Sequence, residues 1–148
     1  MKHFFNKEQK VLSRDALLQK EELEVVQVDL GANECVFVRQ MTGRERDRWE
    51  RSLFREVKND KGEVKSERAI DDFRAKLVVH CICDEEGKTL LQPEDYETLS
   101  QNMSARRLEK IINVAQKLNK ISEEDKESLI KNSEAGLAGS SISDSVES

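Results

Sequence analysis

His80, Cys81 and Cys83 carry donor atoms that a metal site or a nucleophilic pair would need. A helix would send Cys81 and Cys83 about 200° apart, away from any common ion. A strand would put them on one face, but a structural zinc needs four ligands. His3 and Cys35 are the other soft donors, both distant in sequence and without a supporting motif. A Cys–His nucleophile also requires facing side chains and an orienting third group, whereas adjacent helical residues diverge. The cysteines therefore read as small apolar residues.

The acid pairs Glu85/Glu86 and Glu94/Asp95 invite a hydrolase or divalent-cation reading. Their segment, DEEGKTLLQPED, lacks the ligand positions of a calcium-binding EF-hand loop. Turn-forming and helix-start roles account for these acids. The sequence has no HExxH, no nucleophile elbow and no glycine-rich phosphate loop. None of its six glycines clusters ahead of a Lys-Ser or Lys-Thr pair. These patterns predict a non-enzymatic protein with no cofactor, no catalytic residue and no metal site.

What remains is a chain of 148 residues, enough for one core. Charged residues make up 37% of it and hydrophobic ones 36%, with a single Trp and five Phe as large anchors. A small core is expected, with part of the chain outside it or awaiting a partner. The net charge of −5 is carried by residues 121–148, leaving the rest neutral overall. Locally, Arg106, Arg107, Lys110, Lys117 and Lys120 face only Glu109. Such a surface reads as a solvated face before it reads as a nucleic-acid site. No apolar run approaches the roughly 20 residues of a membrane helix, and the N-terminus lacks the pattern of a secretion signal. Three cysteines, an odd number, suit a reducing compartment, so a cytoplasmic location is expected.

Residues 1–132 are expected to form one α+β domain: an N-terminal β-hairpin, then a mostly helical part of about four to five helices. Residues 16–23 could add a short helix, and Phe4 and Phe5 could pack back on the domain or stay mobile. Val26, Val28 and Leu30 alternate with Val25 and Gln27, and CVFV returns after a Gly-Ala-Asn turn. This predicts a hairpin over 23–39, with an exposed edge as a route to oligomers. Thr42 and Glu45 have capping-box spacing ahead of Trp49, Leu53 and Val57, predicting a helix over 43–57. Ile70, Phe73, Leu77 and Cys81 form a stripe that predicts a helix over 66–83. Its β-branched end, LVVHCIC, also admits a strand. Pro93 should start a helix over 93–100. Leu108, Ile111, Ile112, Ala115 and Leu118 give the cleanest helical stripe, over 104–119, and Ser122/Asp125 cap a helix over 122–131. Residues 133–148 read as a flexible tail.

If the protein works by binding, apolar stripes are where a partner would dock. Trp49, Leu53 and Phe54 on one helix, with Leu108, Ile111, Ile112 and Ala115 on another, could line a groove. Phe54 is the first choice for an exposed anchor. The more economical assignment for the Trp49 stripe is anchorage of its helix to the core.

The ordered set VRQMTGRERDRWE at 38–50, RAIDDFRAKLVVHCICDEEGKTLL at 68–91, PEDYETLS at 93–100 and LEKIINVAQKLNKISEEDKESL at 108–129 resembles the tail assembly chaperones of long-tailed phages and prophages. The resemblance covers about residues 20–132. It implies a chaperone that binds the tape measure protein in the host cytoplasm, brings major tail protein to it, and is absent from the finished virion. It also implies a longer frameshifted form extending from the tail, and holding so long a partner soluble calls for homo-oligomers that supply avidity. A structural or completion component of the tail is the alternative within the same setting, and a nucleic-acid adaptor the alternative outside it.

Overall fold

A computed structural model describes residues 8–122 together with Glu124, Asp125, Glu127 and Ser128. The elements run α1 (Arg14–Leu18), β1 (Val25–Gly31), β2 (Glu34–Arg39), α2 (Gly43–Ser52), β3 (Phe54–Lys58) and β4 (Val64–Arg68). They continue with α3 (Phe73–Val78), β5 (Ile82–Cys83), a 3-10 turn at Pro93–Asp95, α4 (Tyr96–Asn102) and α5 (Ala105–Leu118). The class is α+β. Strands recur after the first hairpin, however, so helices do not make up the remainder. α1 also starts earlier than residue 16, where Ser13 Oγ accepts the Ala16 N–H at 3.2 Å, and it ends at Leu18.

β1 and β2 pair antiparallel with Val26 opposite Val38 and Val28 opposite Val36. That register puts the valines on the core face. Ala32 and Asn33 both take positive φ (54° and 61°), as a tight primed turn requires. β5 joins the far side of β2, with Phe37 opposite Cys83 and Val38 opposite Ile82, giving the order β1-β2-β5. This pairing overturns the single helix expected over 66–83. Arg39 N–H donates to the Cys81 carbonyl at 2.9 Å, so the edge of β2 captures the chain just after α3. The strand alternative for LVVHCIC holds only for its end.

The helix expected over 43–57 is also shorter. It begins as read: Thr42 Oγ1 accepts the Glu45 N–H at 3.2 Å, and Glu45 Oε1 accepts the Thr42 N–H at 2.9 Å. The second carboxylate oxygen of Glu45 takes the Arg39 guanidinium at 2.7 Å, tying the start of α2 to the end of β2. α2 then stops at Ser52. The next residues alternate in the strand manner around the turn Asn59–Gly62 and form the antiparallel pair β3–β4.

α5 follows its prediction closely. Ser104 Oγ accepts the Arg107 N–H at 3.2 Å, and Leu108, Ile111, Ile112 and Ala115 are buried against β1, β2 and α3. At its end, Ile121 N–H reaches Gln116 O at 2.8 Å and Lys120 N–H reaches Lys117 O at 3.2 Å, a Schellman closure. Lys120 holds the left-handed position usually given to glycine, with φ 53°. Asn119 then joins α5 to the sheet: its Oδ1 accepts the Met41 N–H at 2.7 Å, and its Nδ2 donates to Ala115 O at 2.8 Å. The Pro93 segment forms a 3-10 turn that passes into α4 and runs on to Asn102.

Ser122 and Asp125 cap each other reciprocally (2.9 and 3.1 Å), and residues 124, 125, 127 and 128 are helical. The rest of the expected helix over 122–131, the tail 133–148, and Phe4 and Phe5 lie outside the described residues.

Candidate functional site

Two neighbouring regions have opposite surface character. Trp49, Leu53, Leu108, Ile111, Ile112 and Ala115, six of the seven residues predicted to meet a partner, lie in the core with Val38, Leu77 and Val78. The two helical stripes therefore pack into one interior, and the groove expected between them is closed. Trp49 is fully buried and packs edge-on against Phe73, with ring centroids 5.7 Å apart. Phe54 alone of the seven reaches the surface.

Phe54 opens the β3–β4 arm. Every residue of β3 is exposed, as are Val64, Lys65 and Ser66 of β4. Three large apolar side chains stand on this charged ribbon: Phe54 (38% exposed), Val57 (37%) and Val64 (55%). Cross-strand register places Phe54, Glu56, Lys58, Val64, Ser66 and Arg68 on one face, and Arg55, Val57, Lys65 and Glu67 on the other. On that second face Arg55 and Glu67 pair at 2.7 Å. An isolated two-stranded ribbon is marginal in water, so its root must be secured.

Lys76 secures it. Its Nζ donates to Ser52 O at 3.1 Å and Ala69 O at 2.9 Å, the carbonyls flanking the two ends of the arm, and lies 5.3 Å from the Tyr96 ring centroid. The Ala69 N–H donates to Leu53 O at 2.6 Å and closes the base. Burial pushes the Lys76 ammonium below the usual lysine range, with Asp72 and Asp71 opposing that shift. Nothing in the sequence marks Lys76 for this role. A lysine between Ala75 and Leu77 has no local cue, because the Ser52 and Ala69 carbonyls that hold it meet only when the arm folds back on itself.

Beside the clasp is a cleft of about 440 Å³ lined by Arg48, Ser52, Lys76, His80, Glu94 and Tyr96. Burial lowers the proton affinity of His80, with Glu45 opposing and Arg48 and Arg39 reinforcing the shift. Cys81 is fully buried, and burial pushes its thiol up to about 12. Its thiolate is accordingly rare at neutral pH. Among the described residues no group of three His, Cys, Asp or Glu side chains could hold a metal ion.

Of the acids in the segment DEEGKTLLQPED, Asp84 and Asp95 hold turns. Asp84 Oδ1 accepts the Lys88 and Glu86 N–H groups, each at 2.9 Å, and Gly87 takes φ 88° in the turn. The backbone hydrogen bond from Lys88 holds the Asp84 carboxyl below its ordinary value. Asp95 Oδ2 accepts the Gln92 N–H at 2.7 Å, starting the Pro93 turn. On α5, Arg107 pairs with Glu34 at 2.6 Å and Glu109 with Arg74 at 3.0 Å, while Arg106, Lys110 and Lys117 are exposed. No described helix is long and apolar enough to cross a membrane.

Comparisons with protein-family models, with curated proteins and with solved structures found no match for this chain.

Proposed function

We propose that this chain is a non-catalytic phage tail assembly chaperone that binds the tape measure protein through the β3–β4 arm and helps recruit major tail protein. One observation carries the reading: Phe54, Val57 and Val64 stay exposed on a ribbon clasped to a closed core. The resemblance over residues 20–132 supplies the partner, and the arm supplies a surface for it.

A tape measure protein is a very long helical chain whose apolar stripes are exposed before the tail encloses it. Phe54 and Val64, which share one face of the arm, make a weak contact with one such stripe. Weak contacts repeated along a long partner gain strength through effective concentration. The Arg, Lys, Asp and Glu residues around the arm keep the free chaperone from associating through the same side chains. A longer frameshifted form belongs to the same proposal. The host cytoplasm is the place of action, and the mature virion lacks the protein.

Co-expression with the tape measure protein, followed by pull-down, tests the reading. The expected result is a soluble, co-purifying partner. A double variant, Phe54→Ser with Val64→Ser, should lose that complex while keeping the thermal melt of the unaltered chain. Failure of the unaltered chain to solubilise or retain the partner would sink the assignment. Recovery of the chain from purified particles would mark a structural tail component, and salt-sensitive DNA binding an adaptor.

A further inference from the structure

The arm has a second unused feature, its backbone edges. Closure at Ala69–Leu53 and Asn59–Glu63 fixes which residues bond inside the hairpin. In step with those ends, Arg55–Glu67 and Val57–Lys65 turn their N–H and C=O groups toward each other. Val64, Ser66 and Arg68 consequently direct theirs outward from β4. The arm's sheet contains only β3 and β4 among the described residues, so no third strand takes up the outward N–H and C=O groups of Val64 and Ser66.

We infer that β4 pairs antiparallel with β4 of a second copy of this chain, about a two-fold axis through Ser66. In that register Ser66 meets Ser66 of the other copy, Val64 meets Arg68, and Lys65 meets Glu67 on both sides of the axis. The outward-directed residues 64, 66 and 68 face one another, which is the condition for a bonded antiparallel ladder. Lys65 and Glu67 fall at the closer, non-bonded positions, where opposite charges attract and like charges repel. Glu67 already holds Arg55 at 2.7 Å on its own strand pair. Across four strands the row becomes Arg55, Glu67, Lys65, Val57, with each Glu67 between two cations.

Charge selects this register. Moving the axis to Lys65 sets Lys65 against Lys65, and moving it to Glu67 sets Glu67 against Glu67. On β3, an axis at Glu56 opposes two glutamates and one at Arg55 opposes two arginines. An axis at Val57 gives Glu56–Lys58 pairs, but the ladder then runs into the turn at Asn59–Gly62. β4 is therefore the edge with a full-length self-complementary register. The ribbon becomes four-stranded, with Phe54 and Val64 of both copies on one face. The short strands predict a weak, exchanging dimer.

Sedimentation of the full chain across a dilution series, without any partner protein, tests the inference. The unaltered chain should pass from monomer to dimer. Ser66→Pro removes an outward N–H that the hairpin does not use, and so should give a monomer with an intact melt. Lys65→Glu alone and Glu67→Lys alone each turn both attractive pairs repulsive and should weaken the dimer roughly tenfold or more. Mixing those two variants restores opposite charges at every pair and should recover a heterodimer. A monomer at every concentration overturns the inference, as does a dimer indifferent to Ser66→Pro or a mixture that stays monomeric. These readouts require no tape measure protein, so they are separate from the fate of the proposed function.

Discussion

Trp49 and Phe54 sit close in sequence, on either side of the end of α2, and serve opposite ends. Trp49 is sealed in the core against Phe73, whereas Phe54 begins a ribbon whose β3 strand is exposed at every position. The core holds together by packing, and its apolar side chains already have partners within the chain. The arm holds together by its ladder, the Arg55–Glu67 pair and the Lys76 clasp, and its apolar side chains lack that cover. An apolar stripe alone thus says little about docking. What matters is which part of the stripe the fold leaves outside.

The sharpest way to break this comparison is to truncate both aromatics. Trp49→Ala should cost about 3–5 kcal/mol in a urea unfolding titration, as expected for a large core residue. Phe54→Ala should cost within about 0.5 kcal/mol, the usual range for surface changes. Similar losses for the two would mean that the arm is part of the core. Next in size is the clasp. Lys76→Met keeps most of the stem but leaves two carbonyls without their donor, a loss of about 1–3 kcal/mol. Hydrogen exchange should then quicken across residues 54–68 and stay slow in α5. Equal quickening in both would deny the arm its separate status.

Acid should act on the core side of the clasp, with a smaller effect. His80 has its proton affinity lowered in the fold, so the unfolded chain binds the proton first, near 6.5. The unfolded state then gains protons that the folded state does not, and stability falls as pH drops through that value. The urea midpoint should decline from about pH 7.5 to about 5.5, and the decline should vanish in His80→Gln. A midpoint indifferent to pH in the unaltered chain would remove His80 from the account. The smallest effect is a gain: Lys120→Gly relieves a left-handed side-chain position and should stabilise by roughly 0.5–1 kcal/mol. A loss there would mean that the lysine side chain contributes more than its backbone costs.

Much of the body was legible because its signals are local. The alternation over β1 and β2, the Thr42–Glu45 box, Pro93 and the stripe of α5 each encode an element within a few residues. The arm was obscured by coincidence: Val57 follows Leu53 at a helical interval, so it read as the end of a stripe. The contrary signal was present in REVK and GEVK on either side of a turn, which alternate like strands. β5 was harder, since two residues become a strand only because β2 offers an edge. For the site, the sequence marks Phe54 as an anchor, while Val57 reads as the end of a helix and Val64 falls between the helices expected over 43–57 and 66–83. Trp49, Leu53 and the α5 residues were sound as apolar stripes, but the chain itself provides what covers them.

The most direct test of the division between core and arm is hydrogen exchange on the chain alone and in the complex with the tape measure protein that the proposed function expects. The account predicts new protection across residues 54–68, with α5 already slow and unchanged. Protection confined to α5 or α2, with the arm exchanging as freely as before, would contradict it.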